Sequence, residues 1–147
     1  MTDKLKSLEA RVRFATRGID TLNGTLQSGS LSVVWSLLEI QDYLKVTGNI
    51  AEIGVHQGKL FILLCHWMNR GEIAHAIDIF GRPIGSDTKN IDKLIGNLEQ
   101  FGIPKEQYRV EIRDSRQLSC GALCDLFRGP NIRLFSVDGD HSREAVL

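Results

Sequence analysis

Four short apolar segments, rich in β-branched residues, alternate with segments of helical periodicity along most of this chain. These four segments are predicted strands, with the sequences NIAEIGV from Asn49, EIAHAIDIF from Glu72, YRVEI from Tyr108 and IRLFSVDGD from Ile132. Strands that alternate with helices over short connections favour a parallel sheet with right-handed crossovers. The sequence therefore predicts an α/β fold, a Rossmann-like doubly wound parallel sheet.

The spacing of apolar residues predicts five helices, which cover residues 5–22, 33–44, 59–69, 91–101 and 117–127. The first is amphipathic and precedes the sheet, so residues 1–29 form an N-terminal helical segment and residues 30–147 a single domain. Ser30 or Ser32 is the expected cap of the second helix, and Gly48 its expected end. The segment GRPIGSDTKN from Gly81 is a predicted loop.

The composition bears on the compartment and on the partners. The chain has 18 basic and 18 acidic side chains, so it lacks the net positive charge typical of a nucleic-acid-binding protein. No apolar run approaches the roughly 20 residues that span a bilayer, and the charged N-terminus lacks the centre of a signal peptide. We therefore expect a cytoplasmic protein that binds neither nucleic acid nor membrane. The 3 cysteines are expected to be small buried apolar residues.

A glycine-rich loop follows the first predicted strand, in the segment EIGVHQGKL from Glu52 to Leu60. A phosphate-binding P-loop is excluded, because only three residues separate Gly54 from the Gly-Lys pair and no hydroxyl follows Lys59. The dinucleotide fingerprint is half present: His56 replaces its second glycine, but Asp78 lies about twenty residues further on, where an acid binds ribose hydroxyls. A nicotinamide-dinucleotide domain remains an alternative.

The pattern that fits is E-x-G-x-x-x-G at Glu52, Gly54 and Gly58, followed by Asp78 at the end of AID. With these residues the chain resembles class I S-adenosylmethionine-dependent methyltransferases. The segment LFSVDGDHSREAV is similar to the DGDHSYE loop of a subgroup that includes macrocin O-methyltransferase-like and cephalosporin-hydroxylase-like proteins. Arg143 stands here in place of the usual tyrosine.

The resemblance implies that S-adenosyl-L-methionine is the cofactor and that Asp78 holds its ribose. A carboxylate can accept hydrogen bonds from two neighbouring hydroxyls, although the same residue type also forms turns. Asp114 and Ser115 are expected at the adenine edge, as caps of the next helix, or as both. The full set of expected cofactor-binding residues is Glu52, Gly54, Val55, Gly58, Asp78, Ile79, Asp114, Ser115 and Asp138.

Methyl transfer to a hydroxyl group requires removal of its proton, by a base or with the help of a metal ion. The resemblance implies that His141 is the catalytic base and that Asp138 is a ligand of a divalent metal such as Mg²⁺. The acceptor would be a hydroxyl of a small molecule or a sugar. In the alternative interpretation, Asp138 contacts only the amino group of the cofactor and His141 only caps a helix.

The resemblance also implies a seven-stranded sheet, of which this sequence supplies the N-terminal part with an extra helix before it. We expect a fragment, a truncated reading frame, or a chain that completes its sheet by association. A homo-oligomer could form through the N-terminal helix or through the open edge of the sheet. A non-catalytic binding or interaction module with the same fold therefore stays open as an alternative function.

Overall fold

In the computed structural model, residues 3–81, 90–126 and 131–139 are described, except for the side chains of residues 3–7 and 126. Four strands form one parallel sheet: β1 (Asn49–Ile53), β2 (Ala74–Asp78), β3 (Tyr108–Ile112) and β4 (Ile132–Val137). Their order is β3-β2-β1-β4, so the direction of the chain across the sheet reverses at β1. The predicted Rossmann-like α/β fold is confirmed. In such sheets ligands bind beyond the carboxyl ends of the strands at the point of reversal, here between β1 and β4.

Five α-helices flank this sheet, namely α1 (Asp3–Arg13), α2 (Ser28–Tyr43), α3 (Lys59–Cys65), α4 (Asn90–Gln100) and α5 (Cys120–Leu126). Short 3-10 turns cover Ile19–Thr21, Lys105–Gln107 and Ser115–Gln117, and a π-helical turn covers Phe14–Gly18. All five residues of β1 are buried, as are Phe61 to Cys65 of α3. Complete burial is expected of a strand covered on both faces and of a central helix, and in β1 it includes the polar residues Asn49 and Glu52.

The predicted helix over residues 5–22 buries only the C-terminal part of its apolar face, at Ile19 and Leu22. Leu8 and Val12 are 46% and 45% exposed, whereas Phe14 is 1% exposed. The π-helical turn adds a residue to the helical turn at this point, which brings Phe14 and Gly18 to the buried side. A Cβ atom on Gly18 would lie 2.6 Å from Cε1 of Phe101, so glycine permits the edge-to-face packing of Phe14 on Phe101.

Both predicted ends of the second helix are wrong. The helix begins at Ser28, where Gln27 makes no capping hydrogen bond, and the Ser32 hydroxyl donates to the Ser28 carbonyl within the helix. At the other end Lys45 takes the left-handed conformation, with φ 57°. Gly48 has φ 147° and lies against the backbone of Asn131, so its glycine is required by the approach of β4.

Smaller differences concern α3, α5 and the cysteines. Helix α3 ends at Cys65, four residues before the predicted end, and α5 begins at Cys120 because a 3-10 turn occupies the residues before it. Cys120 and Cys124 are exposed, contrary to the prediction, and only Cys65 is buried. Most of the predicted loop 81–90 and the predicted end of α5 at Phe127 lie outside the described residues.

A buried ion pair joins the amino ends of the strands, far from the carboxyl ends where ligands bind. Nη2 of Arg133 lies 3.2 Å from Oε2 of Glu72, and these side chains are 3% and 7% exposed. Arg133 also donates to the carbonyl of Trp67 and to the side chain of Gln41, and Glu72 accepts from the backbone N–H of Gly48. The cluster therefore ties β4 to α2 and to the segment before β2.

Candidate functional site

The loop between β1 and α3 has a backbone that three left-handed residues shape. Gly54, His56 and Gly58 have φ angles of 87°, 52° and 90°. The N–H of Gly54 donates to the carbonyl of Ile77 over 2.9 Å, which continues the pairing of β1 with β2. A Cβ atom on Gly54 would collide with the backbone of Asp138, so this glycine is required by the end of β4.

Gly58 also has a packing role, which the sequence pattern does not indicate. A Cβ atom at this position would lie 2.5 Å from Cδ1 of Leu94, which is fully buried on α4. Gly58 lines neither of the two cavities described below. The second glycine of the pattern therefore allows close packing of α3 and α4, in addition to the left-handed turn.

A first cavity of about 320 Å³ lies beyond the carboxyl ends of the strands. It brings together residues that follow β1, β2, β3 and β4, although these are far apart in the sequence. Of the residues predicted to bind the cofactor, it is lined by Gly54, Asp78, Ile79, Asp114, Ser115 and Asp138. Its other lining residues are Ile53, His56, Arg113, Arg116 and Gly139.

A second cavity of about 380 Å³ adjoins the first and shares Gly54, His56 and Asp138 with it. The predicted residues Glu52 and Val55 line this second cavity. Its other lining residues are Asn23, Gly24, Thr25, Leu26, Lys59 and Leu60. With the exception of Gly58, every predicted cofactor residue thus lines one cavity or both.

Glu52 is the deeply buried acid of the second cavity. It is 2% exposed, and its Oε2 atom has no hydrogen-bond partner among the residues that the structure describes. Burial raises its pKa well above the ordinary value, and the carboxylates of Asp138 and Asp78 raise it further. A buried polar atom without a partner is destabilising, and a perturbed acid in a cleft is a candidate binding group.

Asp78 connects the glycine loop to the end of β2. Its Oδ2 atom accepts from the N–H of His56 over 2.6 Å, and its Oδ1 atom accepts from the N–H of Phe80 over 2.7 Å. The alternative role as a turn former is therefore present. Each carboxylate oxygen can accept a second hydrogen bond, so Asp78 keeps acceptor capacity for a ligand in the first cavity.

Asp114 caps the 3-10 turn Ser115–Gln117 after β3, and not the helix that was predicted to begin at Gln117, since α5 begins at Cys120. Its Oδ1 atom accepts from the N–H of Arg116, and Nη2 of Arg116 lies 2.7 Å from its Oδ2 atom. Hydrogen bonds from the Arg116 side chain, and then from its backbone, hold the pKa of Asp114 below its ordinary value. Ser115 opens this turn and lines the first cavity beside it.

Several lining residues escaped the sequence analysis. Arg113 and Arg116 flank the predicted residues Asp114 and Ser115, and their position after β3 was the available signal. The segment 23–26 carries no motif, and only the folded chain brings it to the cavity. The predicted base His141 lies outside the described residues.

A metal site finds no support in the described part of the chain. No cluster of three or more His, Cys, Asp or Glu residues that could hold a metal ion occurs there. The predicted metal ligand Asp138 lies at the end of β4 and lines both cavities.

None of the helices in the described ranges is long and apolar enough to cross a membrane.

Comparison with known proteins supports the fold. No family model and no curated protein sequence matches the chain. A solved structure of a protein from Klebsiella pneumoniae assigned as an O-methyltransferase matches 92% of the chain with a TM-score of 0.56 and 16% identity. One from Pyrococcus horikoshii assigned as an RNA methyltransferase matches 98% with a TM-score of 0.53 and 16% identity. CalS11, a TDP-rhamnose 3′-O-methyltransferase of calicheamicin biosynthesis, matches 94% with a TM-score of 0.51 and 18% identity.

These likenesses define a class of fold. The chain covers 52%, 62% and 68% of the lengths of these three proteins, so it corresponds to about half to two thirds of each. At such low identity the matches establish architecture alone. The protein is an α/β Rossmann-like chain whose fold matches part of a methyltransferase fold.

Proposed function

We propose that this chain forms the cofactor-binding part of an S-adenosylmethionine-dependent methyltransferase that acts on a hydroxyl group of a small molecule or sugar. One observation carries the proposal: Oε2 of the buried Glu52, at the edge of a cavity beside the β1–β4 crevice, has no hydrogen-bond partner among the described residues. The tail of this cofactor carries an ammonium group, which is the partner that a buried carboxylate requires.

The two cavities suit the two ends of such a cofactor. Asp78 would hold the ribose hydroxyls, with Asp114 and Ser115 near the adenine, in the first cavity. Glu52 and Asp138 would hold the amino end in the second cavity. Bound there, S-adenosylmethionine supplies an electrophilic methyl group to an acceptor. The role of His141 as the base that takes the acceptor's proton stays a prediction.

The nicotinamide alternative is less well supported by the loop. His56 is at the position where the dinucleotide fingerprint needs a glycine for close approach of a pyrophosphate. Its backbone N–H donates to Asp78, and its side chain belongs to the lining of both cavities. This arrangement favours a cofactor without a pyrophosphate.

The fold does not distinguish between classes of methyl acceptor, so the acceptor is proposed from the charge balance of the chain. Two of the matched proteins are assigned to O-methylation and one to RNA methylation, so the architecture is compatible with both substrate classes. The balance of 18 basic and 18 acidic residues favours a small acceptor over nucleic acid. Membership of the DGDHSYE-loop subgroup and a cytoplasmic location belong to the same proposal.

A binding module that acts through association is the second candidate. The exposed apolar residues Leu8 and Val12 on α1, and Phe135 and Val137 on β4, favour contact through the two surfaces proposed from the sequence. Val137 is 69% exposed. Binding of cofactor without turnover, with a molecular mass that rises with concentration, would favour this candidate.

The test of the cofactor site uses Asp78→Ala and calorimetric titration with S-adenosylhomocysteine. Loss of charge-assisted hydrogen bonds should lower affinity by about 10- to 100-fold. Asp92→Ala is the control, because Asp92 is exposed on α4 and lines neither cavity.

Because Asp78 also supports the loop, adenosine and 2′,3′-dideoxyadenosine separate the two roles. The wild-type chain should prefer adenosine, and the variant should bind both equally. A variant that keeps the wild-type preference would refute the ribose assignment.

A further inference from the structure

The second cavity contains charges of both signs. Glu52 and Asp138 are its acids, and Lys59 is the lysine among its lining residues, which include no arginine in the described part of the chain. The acids have an assigned partner in the proposed function, the ammonium group of the cofactor. The proposed function assigns no part of the cofactor to Lys59, whose position in the sequence only helps to exclude a P-loop.

The side chain of Lys59 is held by a hydrogen bond to the segment before α2. Lys59 is the first residue of α3, and its Nζ atom donates to the carbonyl of Gly24 over 3.1 Å. Gly24 has φ 130°, and a Cβ atom there would lie 3.7 Å from Cβ of Lys59 and 3.8 Å from Nδ1 of His56. The segment 23–26 therefore lies directly against the glycine loop and forms a wall of the cavity.

The ammonium group of a lysine has three donors. The bond to Gly24 uses one of them, so a ligand in the cavity can accept from the others. Thr25, which also lines the cavity, adds a hydroxyl group. The cavity thus offers carboxylates for a cation, and an ammonium and a hydroxyl for an anion.

This combination matches an α-amino acid group, which carries an ammonium and a carboxylate on the same carbon atom. We propose that Lys59 binds the carboxylate of the cofactor's amino-acid tail, in the cavity where Glu52 binds its ammonium group. The inference rests on the proposed function and extends it to a residue that determines ligand specificity. The chain should then discriminate strongly between adenosine derivatives with and without a carboxylate.

The experiment is a cycle of two proteins and two ligands, measured by calorimetry on the full chain. The ligands are S-adenosylhomocysteine and its decarboxylated analogue, which keeps the amine. Lys59→Met should lower affinity for S-adenosylhomocysteine by about tenfold or more, the loss expected for a hydrogen bond between charged groups. Affinity for the decarboxylated analogue should stay within about twofold of wild type, because that ligand offers Lys59 no carboxylate.

Two controls accompany the cycle. Lys105→Met removes an exposed lysine that lines neither cavity and should bind both ligands as wild type does. Lys59→Arg keeps a cation and should retain most of the preference for the carboxylate ligand.

Each unfavourable outcome has a distinct meaning. Equal losses for both ligands in Lys59→Met would overturn the inference, because Lys59 would then act only by holding Gly24. Unchanged affinity for S-adenosylhomocysteine would also overturn it. A wild-type chain that binds neither ligand would refute the proposed function itself, and the inference with it.

Discussion

Replacing Glu52 by glutamine removes a titrating group from inside the sheet while keeping almost the same side-chain shape. The groups that face Glu52 are Asp138 at the end of β4, Asp78 at the end of β2, and the thiol of Cys65 on α3. Lys59 lines the same cavity. Burial is the largest cause of the raised pKa of Glu52, and the two aspartates add to it.

The sign and size of the effect follow from proton linkage. Above the ordinary value of 4.5 the unfolded chain loses this proton, whereas the folded chain keeps it up to the raised pKa. The contribution of Glu52 to the free energy of unfolding is therefore largest below that ordinary value, and it decreases as the pH rises towards the pKa of the folded chain. Within this window the free energy of unfolding should fall by up to about 1.4 kcal/mol per pH unit.

The assay is urea unfolding of wild type and Glu52→Gln at pH 5, 6, 7 and 8. Groups common to both chains cancel in the difference, so the variant should gain stability over wild type progressively as the pH rises. Glu99→Gln, at an exposed position on α4, controls for the loss of one carboxyl. A difference between Glu52→Gln and wild type that stays constant over this range would refute the reasoning.

The remaining predictions concern packing and the buried ion pair. Gly18→Ala should destabilise the chain by about 1–3 kcal/mol in urea unfolding, because the added Cβ would collide with Phe101. At Gly96 an added Cβ meets no described atom within 4 Å, so Gly96→Ala should stabilise α4 by up to about 1 kcal/mol. Equal effects of the two would contradict the packing argument. Glu72→Gln should lower the free energy of unfolding by about 3–5 kcal/mol, because Arg133 would keep a buried charge without its partner. A loss below about 1 kcal/mol, which is typical of a surface ion pair, would contradict this.

The pH dependence of this pair has the opposite sign to that of Glu52. Burial acts to raise the pKa of Glu72, but hydrogen bonds from Asn69 and Gly48, together with Arg133, hold it below the ordinary value. Its stabilisation is therefore present above the ordinary carboxyl pKa and is lost as the pH falls through the lowered value. In urea unfolding below pH 5, wild type should lose stability relative to Glu72→Gln, and a parallel pH profile would contradict this.

The strands and the position of the site could be predicted because both follow from local pattern and topology. A buried parallel strand is a short segment rich in β-branched and other apolar residues, and its carboxyl end shares an edge with those of its neighbours. Asp78, Asp114 and Asp138 lie at or after the ends of three different predicted strands and were expected to bind the same cofactor. The first cavity brings these three acids together.

The features that escaped prediction depend on contacts between distant segments. Gly18 and Gly58 are required by Phe101 and Leu94, which no local pattern connects to them. The same holds for the wall that residues 23–26 form beside Lys59. The π-helical turn at Phe14–Gly18 was not predictable either, because the apolar periodicity of the first helix continues through it without a break.

The central claim is that the two cavities form a site for S-adenosylmethionine. Calorimetric titration of the chain with S-adenosylhomocysteine, with NAD in parallel, tests it most directly, and a cooperative urea transition establishes that the sample is folded. We expect saturable binding of one S-adenosylhomocysteine per chain and no binding of NAD. Binding of NAD, or a folded chain that does not bind S-adenosylhomocysteine, would contradict it.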